Sequence, residues 1–415
     1  MEKICVIGLG YIGLPTASIL ANNGYDILGI DISDKVIDEL KNRSPHIEEP
    51  ELKEIFISAI ESGKLRISKK IEKSDVFIIS VPTPLYEENK ADLSYVKSAS
   101  IEVSKCIEKG NLVILESTSP PNTTENLVGG IIQKRRGLKP GIDYFLSFCP
   151  ERVLPGKVIY ELINNNRIIG GINEESAKKA REIYRSFVKG NIDLTDLKTA
   201  EFVKLAENTY RDINLAFSNE LSLICNDYRI NIWDVLKFAN MHPRVEILNP
   251  GPGVGGHCIP VDPWFILQNI KRKSTLIEKC RKINAKMPII VARMVVELIK
   301  RKPHPKATLF GASYKENIGD TRESPASSII RELKKKKIKV SVFDPLAKGF
   351  EYKLSSLEES LKDSDVLVLL TSHDLYNDIE FEYVSKLMRT RNIFDTRNFF
   401  NEDKVTGSGF KYFSI

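Results

Sequence analysis

One succession of segments occurs twice along the chain and limits what it can fold into. Near the start, the apolar run KICVIGLG ends in glycine. LPTASILANNG then carries helical spacing up to a glycine stop, and YDILGID is a second apolar run ending in Asp31. After the Pro-rich basic segment RKPHPK (301–306) the order returns. ATLFGAS resembles the first run, IKVSVFDP the second, and DSDVLVLLTSH echoes KSDVFIISVPTP. Further apolar runs, NLVILEST (111–118), IDYFLSFCPE (142–151) and NNRIIGG (165–171), alternate with helical stretches. Such alternation requires crossover connections, and these give a parallel, doubly wound sheet.

Between the two halves the pattern changes. Residues 198–227 contain no Gly or Pro and suit one long helix. More helix is expected over 232–240 and from about 263 to 300. The expected fold is therefore α/β, with two Rossmann-like doubly wound domains joined by a helical middle. The boundaries fall at 1–197, 198–300 and 301–415. Spacing differs between the halves, so the likeness is architectural and not a strict repeat.

Composition excludes several classes. The net charge of +6 is modest for 415 residues, and the basic clusters KRR (134–136), KRK (271–273) and KKKKIK (334–339) are short. They lack the aromatics and the continuous stripe of a nucleic-acid surface, so no nucleic-acid partner is expected. The longest apolar runs, such as VLVLL (366–370), are far too short for a bilayer, so no membrane partner is expected either. The N-terminal run goes straight into a strand and a glycine turn with no cleavage site, which reads as cytoplasmic. The six cysteines are irregularly spaced with no CxxC pair, which argues against a metal site and against a disulfide framework.

GLGYIG places Gly8, Gly10 and Gly13 as G-x-G-x-x-G between a strand and a helix. The glycines permit the tight turn and the approach of a pyrophosphate to the helix N-terminus. Asp31, ending the next strand, is placed to accept from both ribose hydroxyls, which favours NAD over NADP. The alternative is a tight turn with no ligand.

PGPGVGGHCIPVDP (250–263) crowds glycines and prolines around Cys258, a setting incompatible with helix or central strand. Oxidation of an alcohol to an aldehyde needs a base, not a thiol. A loop thiol becomes useful when oxidation goes on to the acid: the thiolate adds to the aldehyde, a second hydride leaves, and the thioester is hydrolysed. The glycine backbone offers N–H groups to a thiolate or oxyanion. The alternative is one more inert cysteine. On the long helix, Lys204, Asn208 and either Arg211 or Asp212 share a face, while Phe202, Leu205, Ile213 and Phe217 fill others. That Lys–Asn stripe suits holding an alkoxide or aldehyde oxygen, but an ordinary solvated face has the same spacing.

Taken together, GLGYIGLP, VPTP, ESTSPP, CPERVLPG, AEFVKLAENTYRDINLAFSNEL, PGPGVGGHCIPVDP, GASYKENIGDTRESP and FDTRN resemble the UDP-glucose/GDP-mannose dehydrogenase family nearly end to end. That family oxidises the C6 hydroxyl of a nucleotide sugar to a carboxylate with two NAD. PERVLPG, HPRV and PGPGVGGHC are similar to its branch acting on UDP-N-acetylhexosamines. The glucose branch carries GFGG-x-C-x-PKD, and here Val261 stands in place of that Lys. VDPWF is most similar to the UDP-N-acetyl-D-mannosamine enzymes, with the epimeric UDP-N-acetyl-D-glucosamine as the alternative substrate.

The resemblance implies roles for matching positions. Cys258 is the nucleophile, Lys204 the acid/base or oxyanion cation, Asn208 its hydrogen-bonding assistant, and Asp262 positions water. Glu151 is a candidate base or water-handling residue for thioester hydrolysis, and Thr118 lies near the nicotinamide and water. For NAD, Tyr11 and Ile12 follow the glycine turn, Thr83 follows VP, and Arg322 approaches the cofactor. For the substrate, Arg152 and Val153 line the sugar pocket, and Arg211, His242, Arg244 and Gly255 reach the sugar or diphosphate. Tyr314, Lys315 and Arg397 meet it from the second Rossmann-like domain. The arginine matching Arg244 comes from a neighbouring subunit, which implies a homodimer. Two departures, Tyr314 where Phe is usual and Pro121 at a variable position, leave the proposed chemistry untouched.

Overall fold

A computed structural model describes residues 2–268, 270 and 274–415; the basic cluster at 271–273 lies outside them. The chain divides into two compact units. The first takes in the described residues of Met1–Glu207 and Trp264–Lys271, and the second those of Asn208–Pro263 and Arg272–Ile415. The long helix, Leu197–Tyr228, begins in the first and continues in the second, within one residue of its expected limits at each end.

In the first unit, strands β1 (Lys3–Ile7), β2 (Asp26–Ile30), β3 (Leu65–Ser68), β4 (Val76–Ile79), β5 (Leu112–Leu115), β6 (Phe145–Phe148), β7 (Arg167–Gly171) and β8 (Ile192–Asp196) form one sheet in the order β3-β2-β1-β4-β5-β6-β7-β8. Side chains alternate across it, as strand geometry demands. Ile4 and Val6 join the core under one face with Leu14 and Phe56, and Cys5 and Ile7 join the other with Phe77 and Val113. The strand order reverses between β2-β1 and β4-β5, so ligands are expected beyond the carboxyl ends of β1 and β4. One pairing departs from the all-parallel expectation: β6 and β7 are antiparallel, through Ser147↔Gly171 and Phe148↔Gly170. The connection between them holds only the short helix Val158–Asn164, which does not return the chain to the starting end of the sheet.

The second unit has β9 (Lys306–Phe310), β10 (Lys339–Phe343), β11 (Val366–Leu369), β12 (Asn392–Asp395) and β13 (Lys411–Ser414), all parallel, in the order β10-β9-β11-β12-β13. Its core joins Met287, Val291 and Val295 of the helix Leu276–Ile299 to Ile329 and Leu333 of the helix Pro325–Lys335. The single helix expected over 263–300 is two, Asp262–Leu267 and Leu276–Ile299.

The repeated sequence pattern is a repeated set of hydrogen bonds. Asp75, before β4, accepts from the Lys3 N–H at 2.8 Å; Asp365, before β11, accepts from the Lys306 N–H at 3.0 Å. Asp31, after β2, accepts from the Leu9 N–H at 3.0 Å; Asp344, after β10, accepts from the Ala312 N–H at 2.7 Å.

The first glycine turn is sterically closed to other residues. Gly8 has φ +94°, and a Cβ there would lie 2.4 Å from the Ser80 carbonyl oxygen. A Cβ on Gly13 would lie 1.8 Å from the Gly8 carbonyl oxygen. Gly13→Ala must therefore push the turn open. Urea unfolding should show a loss of roughly 1–3 kcal/mol, and calorimetric titration a loss of dinucleotide binding. Unchanged affinity would show that the turn does not hold the cofactor.

Candidate active site

The cofactor-side residues gather at the carboxyl ends of β1, β2, β4 and β5. A Cβ on Gly10 would meet no protein atom within 4 Å, so the turn is open there, whereas it is closed at Gly8 and Gly13. Tyr11 and Ile12 follow it, half-buried, and the helix Gly13–Asn22 starts at once, its N-terminus presenting N–H groups. Asp31 accepts from Leu9 N–H through one oxygen and from Ser33 N–H at 2.9 Å through the other. The Thr83 hydroxyl donates to the Thr118 carbonyl at 2.7 Å, and Ser117 Oγ donates to the Val81 carbonyl at 2.7 Å, which stitches the two strand ends together. An open glycine turn, a helix N-terminus and an acidic strand end fit a dinucleotide.

Behind Thr118 lies a buried polar cluster that the sequence does not announce. Tyr184 donates to Glu116 at 2.6 Å, and the other Glu116 oxygen is buried without a hydrogen bond. Burial pushes the Glu116 carboxyl up to about 7, against the opposing pull of Tyr184 and Arg167. Glu151 is not open to solvent as a simple base would be: one oxygen accepts from Arg152 N–H at 2.7 Å and the other pairs with the buried Arg167 at 2.9 Å. The Arg152 side chain donates to Glu207 at 2.7 Å, and Val153 packs on the core of the first unit.

In the second unit the loop 250–263 lies against a wall of protein. A Cβ on Gly251 would be 2.6 Å from the Arg397 guanidinium, and one on Gly253 would be 2.9 Å from Pro288. Cβ atoms on Gly255 and Gly256 would lie 2.7 and 2.8 Å from Tyr314. These glycines thus let the loop lie flat on Tyr314, Pro325 and Arg397. The Cys258 carbonyl accepts from the Asp262 N–H at 2.9 Å, which starts the helix Asp262–Leu267. Cys258 is the one exposed thiol of six; Cys5 and Cys149 are buried, which pushes each thiol up to about 12. Its Sγ is 3.2 Å from His257 Nδ1. Tyr314, whose hydroxyl is pushed up to about 12 by burial and then by the nearby Asp320 and Cys258, closes one side.

The long helix settles which of its residues belong together. Lys204, Asn208 and Asp212, one turn apart, are all buried, and Arg211 is exposed. Asn208 donates to Asp262 at 2.6 Å. Asp212 pairs with Arg281 and accepts from Asn284 at 2.8 Å. Asn284 Oδ1 accepts from Asn219, and Asn219 Oδ1 accepts from the Gly251 N–H, each at 2.9 Å. Both ends of the cysteine loop are therefore tied to one buried polar face. The alternative of a solvated stripe is wrong here. Sequence reasoning misses Arg281, Asn284 and Asn219. Asn219 continues the polar stripe and is legible from spacing; Arg281 and Asn284 carry no comparable signal.

The remaining positions are spread more widely. His242 and Arg244 share an exposed turn, where the Arg244 N–H donates to His242 Nδ1 at 3.3 Å. Arg322 is bound to Asp320 through Nε at 2.9 Å. Arg397 is inserted under the loop, with Nε donating to the Leu370 carbonyl at 2.8 Å. Lys315 follows Tyr314, half-buried.

Profiles of the UDP-glucose/GDP-mannose dehydrogenase family match in chain order: the NAD binding domain over residues 2–188, the central domain over 198–286, and the UDP binding domain over 308–402. The chain belongs to this family. It is similar to the UDP-N-acetyl-D-mannosamine dehydrogenase of Methanococcus vannielii, with 49% identity over 99% of this chain and 96% of the relative. Among solved structures, a UDP-D-ManNAc dehydrogenase from Pyrococcus horikoshii superposes with a TM-score of 0.94 at 40% identity, covering 100% of this chain and 99% of that one. The UDP-N-acetyl-mannosamine dehydrogenase Cap5O of Staphylococcus aureus gives 0.90 at 41% identity, covering 100% and 98%. The protein is an NAD-dependent nucleotide-sugar dehydrogenase that takes a UDP-sugar. No described helix is long and apolar enough to cross a membrane.

Burial of Glu116 should make the stability of the NAD-binding domain depend on pH. Its folded value, about 7, lies above the ordinary 4.5, so the stability it contributes is complete below about 4.5 and is lost as pH rises through about 7. Glu116→Gln removes that loss. Relative to the parent, the variant should gain up to about 3 kcal/mol between pH 5 and pH 8 in urea unfolding. An equal difference at both pH values would contradict it.

Proposed function

We propose that the chain is a UDP-N-acetyl-D-mannosamine 6-dehydrogenase, carrying the C6 alcohol through the aldehyde to the carboxylate of UDP-N-acetyl-D-mannosaminuronate. The observation that carries the thiol-based reading is the exposed Cys258 in a loop tied at both ends to the buried polar stripe. The likeness over nearly full length to enzymes named for this substrate supports the choice of sugar.

NAD, when bound, accepts a hydride in each of two oxidations. The chain's own groups do the rest. Lys204 takes the hydroxyl proton or holds the developing oxyanion, with Asn208 beside it on the same face. The Cys258 thiolate adds to the aldehyde carbon, and loss of hydride from the thiohemiacetal leaves a thioester on sulfur. Water then cleaves the C–S bond and the thiol is restored. Asp262, which accepts from Asn208 at 2.6 Å, orients that water in this reading. Thr118 and the Arg167-bound Glu151 serve the same step from the NAD side. Residues 1–197 hold NAD together with Arg322. Residues 198–300 carry the cysteine loop and dimerise, and residues 301–415 hold UDP. Arg152, Val153, Arg211, His242, Arg244, Gly255, Tyr314, Lys315 and Arg397 grip the sugar and diphosphate. We place the enzyme in the cytoplasm.

NADH formation with each pure epimer tests this reading. The mannosamine epimer should yield two NADH per sugar, and Cys258→Ser should fail to reach the acid at a normal rate. Faster turnover of the glucosamine epimer would sink the substrate assignment. A stoichiometry of one NADH, tolerant of Cys258→Ser, would make the protein a two-electron hydroxyl dehydrogenase.

The homodimer has its own support. Phe202, Tyr210, Phe217, Ile224 and Tyr228 of the long helix are exposed at intervals of mostly seven or eight residues, an apolar stripe opposite the buried polar one. Phe217→Asp should shift sedimentation toward the mass of one chain. A parent protein already sedimenting as one chain would refute the dimer.

A further inference from the structure

His257, next to the nucleophile in sequence, has no role in the chemistry described so far. Its Nδ1 stands 3.2 Å from Cys258 Sγ, within reach of a sulfur hydrogen bond. Tyr314, Asp320 and Arg322 are among the groups that bear on the pair. Tyr314 covers one side, its hydroxyl kept protonated by burial and by the charges of Asp320 and Cys258. Asp320 feels His257: burial pushes its carboxyl upward, but hydrogen bonds from Arg322 and the charge of His257 hold it below its ordinary range. A cationic imidazole here therefore has a carboxylate nearby to favour it, though Arg322 neutralises part of that charge.

We propose that His257 is the base that takes the Cys258 thiol proton. The S–H proton passes to Nδ1, leaving a thiolate–imidazolium pair whose sulfur keeps the electron pair that forms the C–S bond with the aldehyde. Both side chains are exposed, so neither ion bears the desolvation that holds the buried Cys5 and Cys149 as thiols. Glycine at 255 and 256 contributes by geometry: with Cβ atoms there the loop could not lie against Tyr314, and the imidazole and thiol would be presented elsewhere.

This inference rests on the thiol-based reading, and its test needs no sugar. The full-length enzyme is treated with iodoacetamide between pH 5 and pH 10, and alkylation of the Cys258 peptide is followed by mass spectrometry. In the parent, the rate should reach its plateau well below the ordinary thiol value of about 8.5. In His257→Gln the profile should move up to that value. The rate at pH 7 should then fall about tenfold, because less of the thiol is ionised there. A parent-like urea-unfolding curve shows that the variant is folded, and His257→Asn serves as a second variant if it is not. An identical profile in parent and variant overturns the proposal, as does a parent rate that rises only near 8.5. Failure of the mannosamine epimer to give NADH would leave these alkylation profiles unchanged, so the two readings fail separately.

Discussion

The buried polar face of the long helix is the constraint on which the candidate site depends. A helix normally buries its apolar stripe, because that is where the hydrophobic free energy lies. Here Lys204, Asn208, Asp212 and Asn219 are inside beside Leu205 and Ala216, and Phe202, Tyr210 and Phe217 are outside. Burying such groups is unfavourable unless each finds a partner. The partners are what define the site: Asp262 and the Gly251 N–H at the two ends of the cysteine loop, with Arg281 and Asn284 between. Arg281 carries a further demand, since without it Asp212 would be a buried charge lacking its counter-ion, a situation that costs roughly 3–5 kcal/mol. The outward apolar stripe of Phe202, Tyr210 and Phe217 is left over on the opposite face, and a second copy of the chain would cover it.

The two Rossmann-like halves show how one hydrogen-bonding plan supports different uses. In both, an Asp after the second strand ties down the turn after the first. Asp31 meets two backbone N–H groups and remains partly exposed at the mouth of the glycine turn. Asp344 is fully enclosed: it accepts from Ala312, Ser313, Leu346 and Ala347 N–H groups and from His373, whose Nδ1 accepts in turn from Asn317 N–H. Burial alone would raise its carboxyl, but these donors hold it far below the ordinary range. That acid is spent on holding its own domain together, with no lone pair left for a ribose.

Much of this is legible in the sequence. The paired strand patterns, the long Gly- and Pro-free helix and the glycine turn all depend on local spacing, which is what a sequence displays directly. The helix expected over 263–300 is two, because helical spacing on either side of a break reads as continuous in a sequence. The antiparallel β7 is hidden because strand direction depends on the course of the connection, not on strand composition. The choice between Arg211 and Asp212 stays open in the sequence because both fit the periodicity; only a partner distant in sequence, Arg281, decides it. The pairing of Glu151 with Arg167 is hidden for the same reason, since Arg167 lies sixteen residues away on another element.

The same reasoning bears on what a loop so rich in Gly and Pro offers Cys258, the proposed nucleophile. A thiol on a strand or under a helix is enclosed by the core, as Cys5 and Cys149 are, and enclosure stabilises the unreactive protonated form. A flexible exposed loop would leave the thiol reactive but poorly placed, and misplacement by an ångström is costly in rate. The segment 250–263 avoids both. Prolines restrict its backbone, glycines let it rest directly on Tyr314, Pro325 and Arg397, and its ends are fixed to the long helix by Asn208 and Asn219. The sulfur is thus exposed while the backbone beneath it is held on three sides, which is what a nucleophile needs if it is to hold an acyl group in one position until water arrives.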